Sequence, residues 1–224
     1  YVVDGLIRRS AGKIRVTAQL LDVHDSATRW SASFADNVSD VLELEDSISE
    51  QVTKQLIPRL TGEEEQQISK RATNNAEAHK AYLRGRYFWN QFTPEAFPKA
   101  IEAFEQASLV DPNYAMAYVG LADYYTWACI HGLHCPESGF PKVFEYAKKA
   151  LSIDPDLAEA HAALGLYYSN VKRWVECERE YRLAIQLNPN YGLAHEWLSA
   201  LLVGSGRFEE GTNEILTAED LDPL

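Results

Sequence analysis

Residues 158–189 read AEAHAALGLYYSNVKRWVECEREYRLAIQLNP, a segment that holds two helices and a stop. His161, Leu164, Gly165 and Tyr168 recur at steps of three and four, the spacing of one helix face. Cys177, Tyr181 and Ala184 do the same on a second helix. Asn188-Pro189 then ends it, because proline lacks the N–H that would continue the helix and pushes the residue before it out of the α region.

The same stop stands at Asp111-Pro112, Asp154-Pro155 and Asp222-Pro223, so the proline separations along the chain are 43, 34 and 34 residues. Counting back from Pro223 gives His195, Leu198, Ser199 and Leu202, then Gly211, Ile215 and Ala218. Counting back from Pro155 gives Tyr118, Leu121, Ala122 and Tyr125, then Val143, Ala147 and Ala150, with nine extra residues between the helices. The unit ending at Pro112 gives Ala81, Gly85 and Phe88, then Ala100, Phe104 and Ala107, with three extra. Small residues at Gly165, Ala122, Ala184 and Ala150 let paired helices approach, and Tyr168, Tyr181, Tyr125 and Phe104 fill the gaps. No single hairpin buries its apolar face alone, but stacked hairpins share one continuous core.

This 34-residue pattern resembles the tetratricopeptide repeat (TPR) family over roughly two-thirds of the chain, residues 76–224, in units of about 78–112, 115–155, 158–189 and 192–223. Arg84 stands where an apolar residue is expected and Gly211 lies inside a helix, so the two end units are expected to be less regular. A last hairpin without a capping helix leads us to expect further repeats downstream.

Residues 1–72 have a different periodicity. Ile14, Val16, Ala18 and Leu20 alternate with Arg15, Thr17 and Gln19, the signature of a half-buried strand. Residues 1–9 form a second strand, joined to the first by a tight Ser10-Ala11-Gly12 turn in which Gly12 takes the positive φ. Residues 28–34 form a third, with Trp30, Ala32 and Phe34 on one face. Leu44, Ile48, Val52, Leu56 and Leu60 mark an amphipathic helix with Asp40 and Glu43 as a capping box. Residues 61–75 are a polar linker. The fold class is therefore α+β: a small three-stranded sheet plus helix, then an αα-superhelix of four TPR hairpins.

The run from Gly5 through Lys13–Asp22 and Trp30 to Leu42-Glu-Leu-Glu-Asp-Ser-Ile-Ser-Glu looks like the second half of a TolB N-terminal-like α/β domain. So thin a sheet leaves an edge unpaired, and we expect further strand–helix units before Tyr1. The resemblance implies a regulatory region of a larger bacterial signalling or transcriptional-regulatory protein, behind a winged-helix domain, a nucleotide cyclase or a kinase.

The chain carries a net charge of -12, with 21 Lys plus Arg against 33 Asp plus Glu. Residues 1–72 hold 9 basic and 12 acidic side chains, and the remainder 12 and 21. Such acidity repels phosphate backbones and argues against nucleic acid as a partner. Arg8, Arg9, Lys13 and Arg15 read as a solvated strand face. Three scattered cysteines favour a reducing compartment over a disulfide framework. No apolar run is long enough to span a membrane. We expect a cytoplasmic location, or a periplasmic one if a membrane segment lies upstream. Oligomeric state is not legible.

Cys129, His131, His134 and Cys135 are the weak candidates for a metal site, because zinc takes such ligands. Their spacing is poor, and a helix end closed by Gly132 is the better reading, so no metal or other cofactor is expected. Cys177 reads as a packed thiol, and His161 and His195 as packing residues. Gly204-Ser205-Gly206 lacks the following Lys-Ser/Thr of a phosphate loop. No catalytic constellation emerges, and the region reads as non-enzymatic.

The TPR resemblance implies a concave groove lined by the first helix of each hairpin. Its positions here are Tyr82, Arg86 and Trp89; Met116, Val119, Asp123 and Trp127; Glu159, Ala162, Leu166 and Asn170; and Glu196. Such a wall would receive a protein or peptide partner. The paired Lys/Asn clamp that holds a C-terminal carboxylate in some TPR proteins is absent from these positions, which argues against chaperone tails. The alternative reading is a small-molecule sensor with its ligand at the α/β–TPR junction.

Overall fold

The computed structural model describes residues 2–10, 13–22, 25, 27–36, 47, 48, 51, 52 and 72–222. The chain divides into two compact units, Tyr1–Ala76 and Glu77–Leu224.

In the first unit, β1 (Val2–Ser10), β2 (Lys13–Leu21) and β3 (Thr28–Asp36) form an antiparallel sheet in the order β1-β2-β3. Val16, Ala18 and Leu20 are buried and stand opposite Phe34, Ala32 and Trp30, so the alternation in β2 sets one apolar face across two strands. Arg8 lies directly opposite Arg15, and both are exposed, as a solvated face requires. At the start of β3, Arg29 Nη2 reaches Asp22 Oδ2 at 2.8 Å and Asp25 Oδ2 at 2.7 Å. Ser47, Ile48, Gln51 and Val52 are helical. The capping box, the Gly12 turn and most of that helix and linker lie outside the described residues.

The second unit is a run of antiparallel helix pairs: α1 (Ala76–Trp89) with α2 (Phe97–Val110), α3 (Ala115–Ile130) with α4 (Pro136–Ile153), α5 (Ala158–Asn170) with α6 (Trp174–Leu187), and α7 (Gly192–Gly204) with α8 (Phe208–Leu221). The prolines mark its joints as the sequence requires. At each stop the N–H of the Asp or Asn still closes the helix, onto Ala107, Ala150, Ala184 and Ala218 carbonyls at 2.9–3.0 Å. The side chains of Asp111, Asp154 and Asn188 then accept the N–H two residues on, which sets the turn into the next hairpin.

Inside a hairpin the small–large pairing is steric. A Cβ on Gly165 would lie 2.3 Å from the Tyr181 ring, and one on Gly85 2.5 Å from Phe104. Between hairpins, Phe104 also fills the space over Gly120 of α3. The expected irregularity at Gly211 does not appear. Helix α8 is continuous, and Gly211 brings it against α7, with Ser199 Oγ donating to the Gly211 carbonyl at 2.7 Å. The nine-residue insertion of the second hairpin is spread out: against the third hairpin, α3 gains three residues, the loop two and α4 four.

Among the described residues no helix is long and apolar enough to cross a membrane.

Candidate partner-binding groove

Helices α3 and α5 touch each other, as do α5 and α7, so the first helices of successive hairpins make one wall. The side chains that the TPR resemblance placed on that wall separate into three groups.

Val119 and Ala162 are buried to 3% and 0% exposure, inside alanine clusters between neighbouring hairpins. Both therefore belong to the core, which corrects the assignment of Val119 and Ala162 to the groove surface. Met116 and Leu166 are half-buried against the core. Asn170 and Glu196 are exposed, and Asn170 Nδ2 donates to the Leu166 carbonyl at 2.9 Å.

A second group is aromatic. Trp89 and Trp127 are partly buried, with ring centroids 6.4 Å apart. Phe97 packs tilted against Trp127 with ring centroids 3.7 Å apart, and His131, one turn further on, lies 4.3 Å from Trp127. Phe92, held at φ 49° in the α1–α2 loop and mostly exposed, meets Trp89 at 5.8 Å and Trp127 at 6.5 Å. The cluster is thus core at its base and open at its rim. Tyr82 is likewise half-buried, between Phe104 at 5.8 Å and Tyr114 at 5.3 Å.

The third group is polar and draws on four hairpins. Arg86 Nη1 lies 3.7 Å from Asp123 Oδ2, with the two side chains 39% and 25% exposed. Burial pushes the Asp123 carboxyl up to about 6; Arg86 opposes the rise and Glu159 adds to it. Burial also raises Tyr82 to about 12, again with Arg86 opposing and Asp123 and Glu159 reinforcing. Tyr191, the residue before α7, is raised by burial and then by Asp123 and Glu159. Tyr82, Arg86, Asp123, Glu159 and Tyr191 therefore share one electrostatic neighbourhood on the wall. Tyr191 is missing from the groove positions that the resemblance implied because it precedes its helix. Its equivalence to Tyr114 before α3 was the available signal.

The residues outside the wall have structural partners. His161 lies between the Glu180 carboxylate (Nδ1, 2.7 Å) and the Pro155 carbonyl (Nε2, 3.0 Å). His195 repeats this with Glu214 at 2.6 Å and Pro189 at 3.1 Å. Tyr118, at the same repeat position, donates its hydroxyl to the Pro112 carbonyl at 3.2 Å. Cys177 is fully buried, and burial lifts its thiol to about 11. Cys129 is buried where a Cβ on Gly139 would stand 2.1 Å from its sulfur, while the exposed Cys135 thiol donates to Glu137. His134 packs on Tyr125 at 5.3 Å. Among the described residues no three metal-ligating side chains converge.

No protein-family model matches the sequence. Over 122 residues the chain is 26% identical to a protein of Rhizobium meliloti (strain 1021) described as "Putative adenylate cyclase 3". The match covers 54% of this chain and 21% of that protein, so the chain spans about a fifth of the relative's length. Among solved structures, MamA aligns at 16% identity with a TM-score of 0.47, over 80% of this chain and 86% of that one. TTC0263, a thermophilic TPR protein of Thermus thermophilus, aligns at 17% identity with a TM-score of 0.54, over 81% of this chain and 83% of that one. With its hairpins, turns and small–large pairs repeating in step, the helical unit has the tetratricopeptide-repeat fold.

Proposed function

We propose that the helical unit is a protein-interaction module that receives a peptide or a helix of a partner along the wall of α1, α3, α5 and α7, and that it performs no catalysis itself. The observation that carries this reading is the wall's composition. Trp89, Trp127 and Phe92 offer a partly open aromatic rim beside Arg86, Asp123 and Glu159, and interfaces draw much of their energy from aromatic anchors in such settings. We further propose that the module serves a larger bacterial signalling or regulatory protein. The cyclase-named relative supports a nucleotide cyclase as the attached output domain, ahead of the winged-helix and kinase alternatives.

The test is photo-crosslinking. A phage-displayed library of random linear dodecapeptides is selected on the intact chain, and a photoreactive residue replaces Asn170 or Glu196 on the wall, or Leu109 on α2, which is 80% exposed. Crosslinks at Asn170 and Glu196 but not Leu109 are expected. Selected peptides that crosslink only at Leu109, or no selected peptide at all, would overturn the reading.

A further inference from the structure

We propose that the groove selects a partner segment bearing a Lys or Arg side chain, which is received at the Asp123–Glu159 pair. This rests on the groove being the binding surface, as proposed above. The wall presents carboxylates at Asp123, Glu159 and Glu196 and one cation, Arg86, so its charge is unbalanced where helices from separate hairpins meet.

Three observations carry the choice of a cationic occupant over a neutral or acidic one. First, the internal pairing is incomplete. Arg86 reaches Asp123 only at 3.7 Å, and among the described residues no donor hydrogen-bonds the carboxylate of Asp123 or Glu159. Both carboxylates are part-exposed and, without a donor among the described residues, retain their accepting capacity toward whatever enters the groove. Second, the surroundings suit a cation. Tyr82 and Tyr191 lie in the same electrostatic neighbourhood, and the Trp89–Trp127 rim follows along α1 and α3. Aromatic faces attract ammonium and guanidinium groups, while anions would meet two carboxylates. Third, the acid works against the fold. Burial and Glu159 raise the Asp123 carboxyl to about 6 even with Arg86 opposing the rise, so its ionised form gains from a further cation. A residue that opposes stability at an otherwise tightly packed interface between hairpins fits a role in binding.

The position of Arg86 makes the idea sharply testable. It occupies the repeat position of Asp123 one hairpin earlier and acts as the internal competitor for the same carboxylate. Its removal frees the site for an incoming cation. A merely structural Arg86 would instead weaken the groove when removed.

The experiment uses the intact chain and peptides from the selection described above. Lys or Arg should be enriched at one position of the groove-crosslinking sequences. By fluorescence anisotropy, the pair Asp123→Asn with Glu159→Gln should weaken such a peptide about tenfold with an unchanged helical circular-dichroism spectrum. Arg86→Gln should tighten it. Groove-crosslinking peptides without basic enrichment would overturn this proposal and leave the groove reading standing. Basic peptides indifferent to the double variant would overturn it too, by assigning their binding to general surface acidity, and peptides weakened by Arg86→Gln would overturn it by showing that Arg86 supports the groove rather than competing for its carboxylates. Absence of any groove-crosslinking peptide would remove both.

Discussion

Asp123 is the side chain whose chemistry departs furthest from that of a surface carboxylate. Its proton is held to about 6 in the folded chain, against 3.8 for the ordinary group. A folded-state value above the unfolded one means that the stabilising protonated form is present at low pH and is lost as pH rises through 6. At neutral pH the ionised group therefore costs roughly 2–3 kcal/mol, with the opposing pull of Arg86 already included. Asp123→Asn is expected to raise the melting temperature near pH 7, and the gain should shrink as pH falls from 6 toward 4. Thermal melts followed by circular dichroism across that range check it. Equal effects at both ends would show that the carboxyl is not strained. Lys172 is a second local conflict. It sits at φ 59°, one 34-residue step before Gly206 at φ 84°, and only glycine adopts that region without a Cβ clash. Lys172→Gly should stabilise the chain by about 1 kcal/mol in urea unfolding. The repeat alignment shows the equivalence of the two positions in sequence, but the backbone angle itself leaves no mark there.

Each helix was legible because proline, alanine and aromatic residues recur on a fixed step, and steric exclusion explains why they must. Gly165 has no Cβ because the Tyr181 ring occupies that volume at 2.3 Å. Gly165→Ala should destabilise the third hairpin by roughly 1–3 kcal/mol, and Tyr181→Leu in the same chain should recover part of the loss. Additive losses would refute the pairing. What the step could not place was the second hairpin's insertion, since nine residues can be shared among two helices and a loop in many ways. Groove membership was harder still. Val119 and Tyr82 occupy equivalent repeat positions, yet one is core and the other half-open, because the small Val119 is enclosed by alanines of α3, α4 and α5 while the larger Tyr82 ring packs between Phe104 and Tyr114 and stays part-exposed. The histidine position gives a further test. Burial opposes the charge on His161, but the Glu180 carboxylate and the Pro155 carbonyl outweigh it, and the ring holds its proton above the ordinary range. The stability this contributes is full below about pH 6.5 and is lost as pH rises through the folded value. His161→Phe should flatten the decline of stability between neutral and mildly alkaline pH. An unchanged profile would show that His161, held by Glu180 and the Pro155 carbonyl, does not titrate there.

The stack as a unit behaves as a one-dimensional array, in which each hairpin is held by its neighbours and distant hairpins are independent. Between the third and fourth hairpins the contact includes a ring of charges. Arg207 Nη1 meets Glu178 at 2.8 Å, Arg182 joins Glu178 at 2.8 Å and Glu210 at 3.3 Å, and Arg207 Nη2 returns to Glu210 at 2.6 Å. Exposed pairs of this kind add little singly, but a closed network ties two second helices together across the hairpin boundary, in addition to the buried contacts of Leu198 and Leu202 with Cys177 and Tyr181. The effect of breaking it should therefore be local. Arg207→Ala is expected to speed amide hydrogen exchange in α7 and α8 while leaving α3 and α4 unchanged, and added salt should reduce the difference between variant and parent. Exchange that rises evenly along α1–α8 would mean that the hairpins open as one cooperative block. In that case a partner seated at Asp123 and Glu159 would tighten the fourth hairpin as strongly as the second. In an array of nearest neighbours its protection should instead fade with each hairpin away from the site.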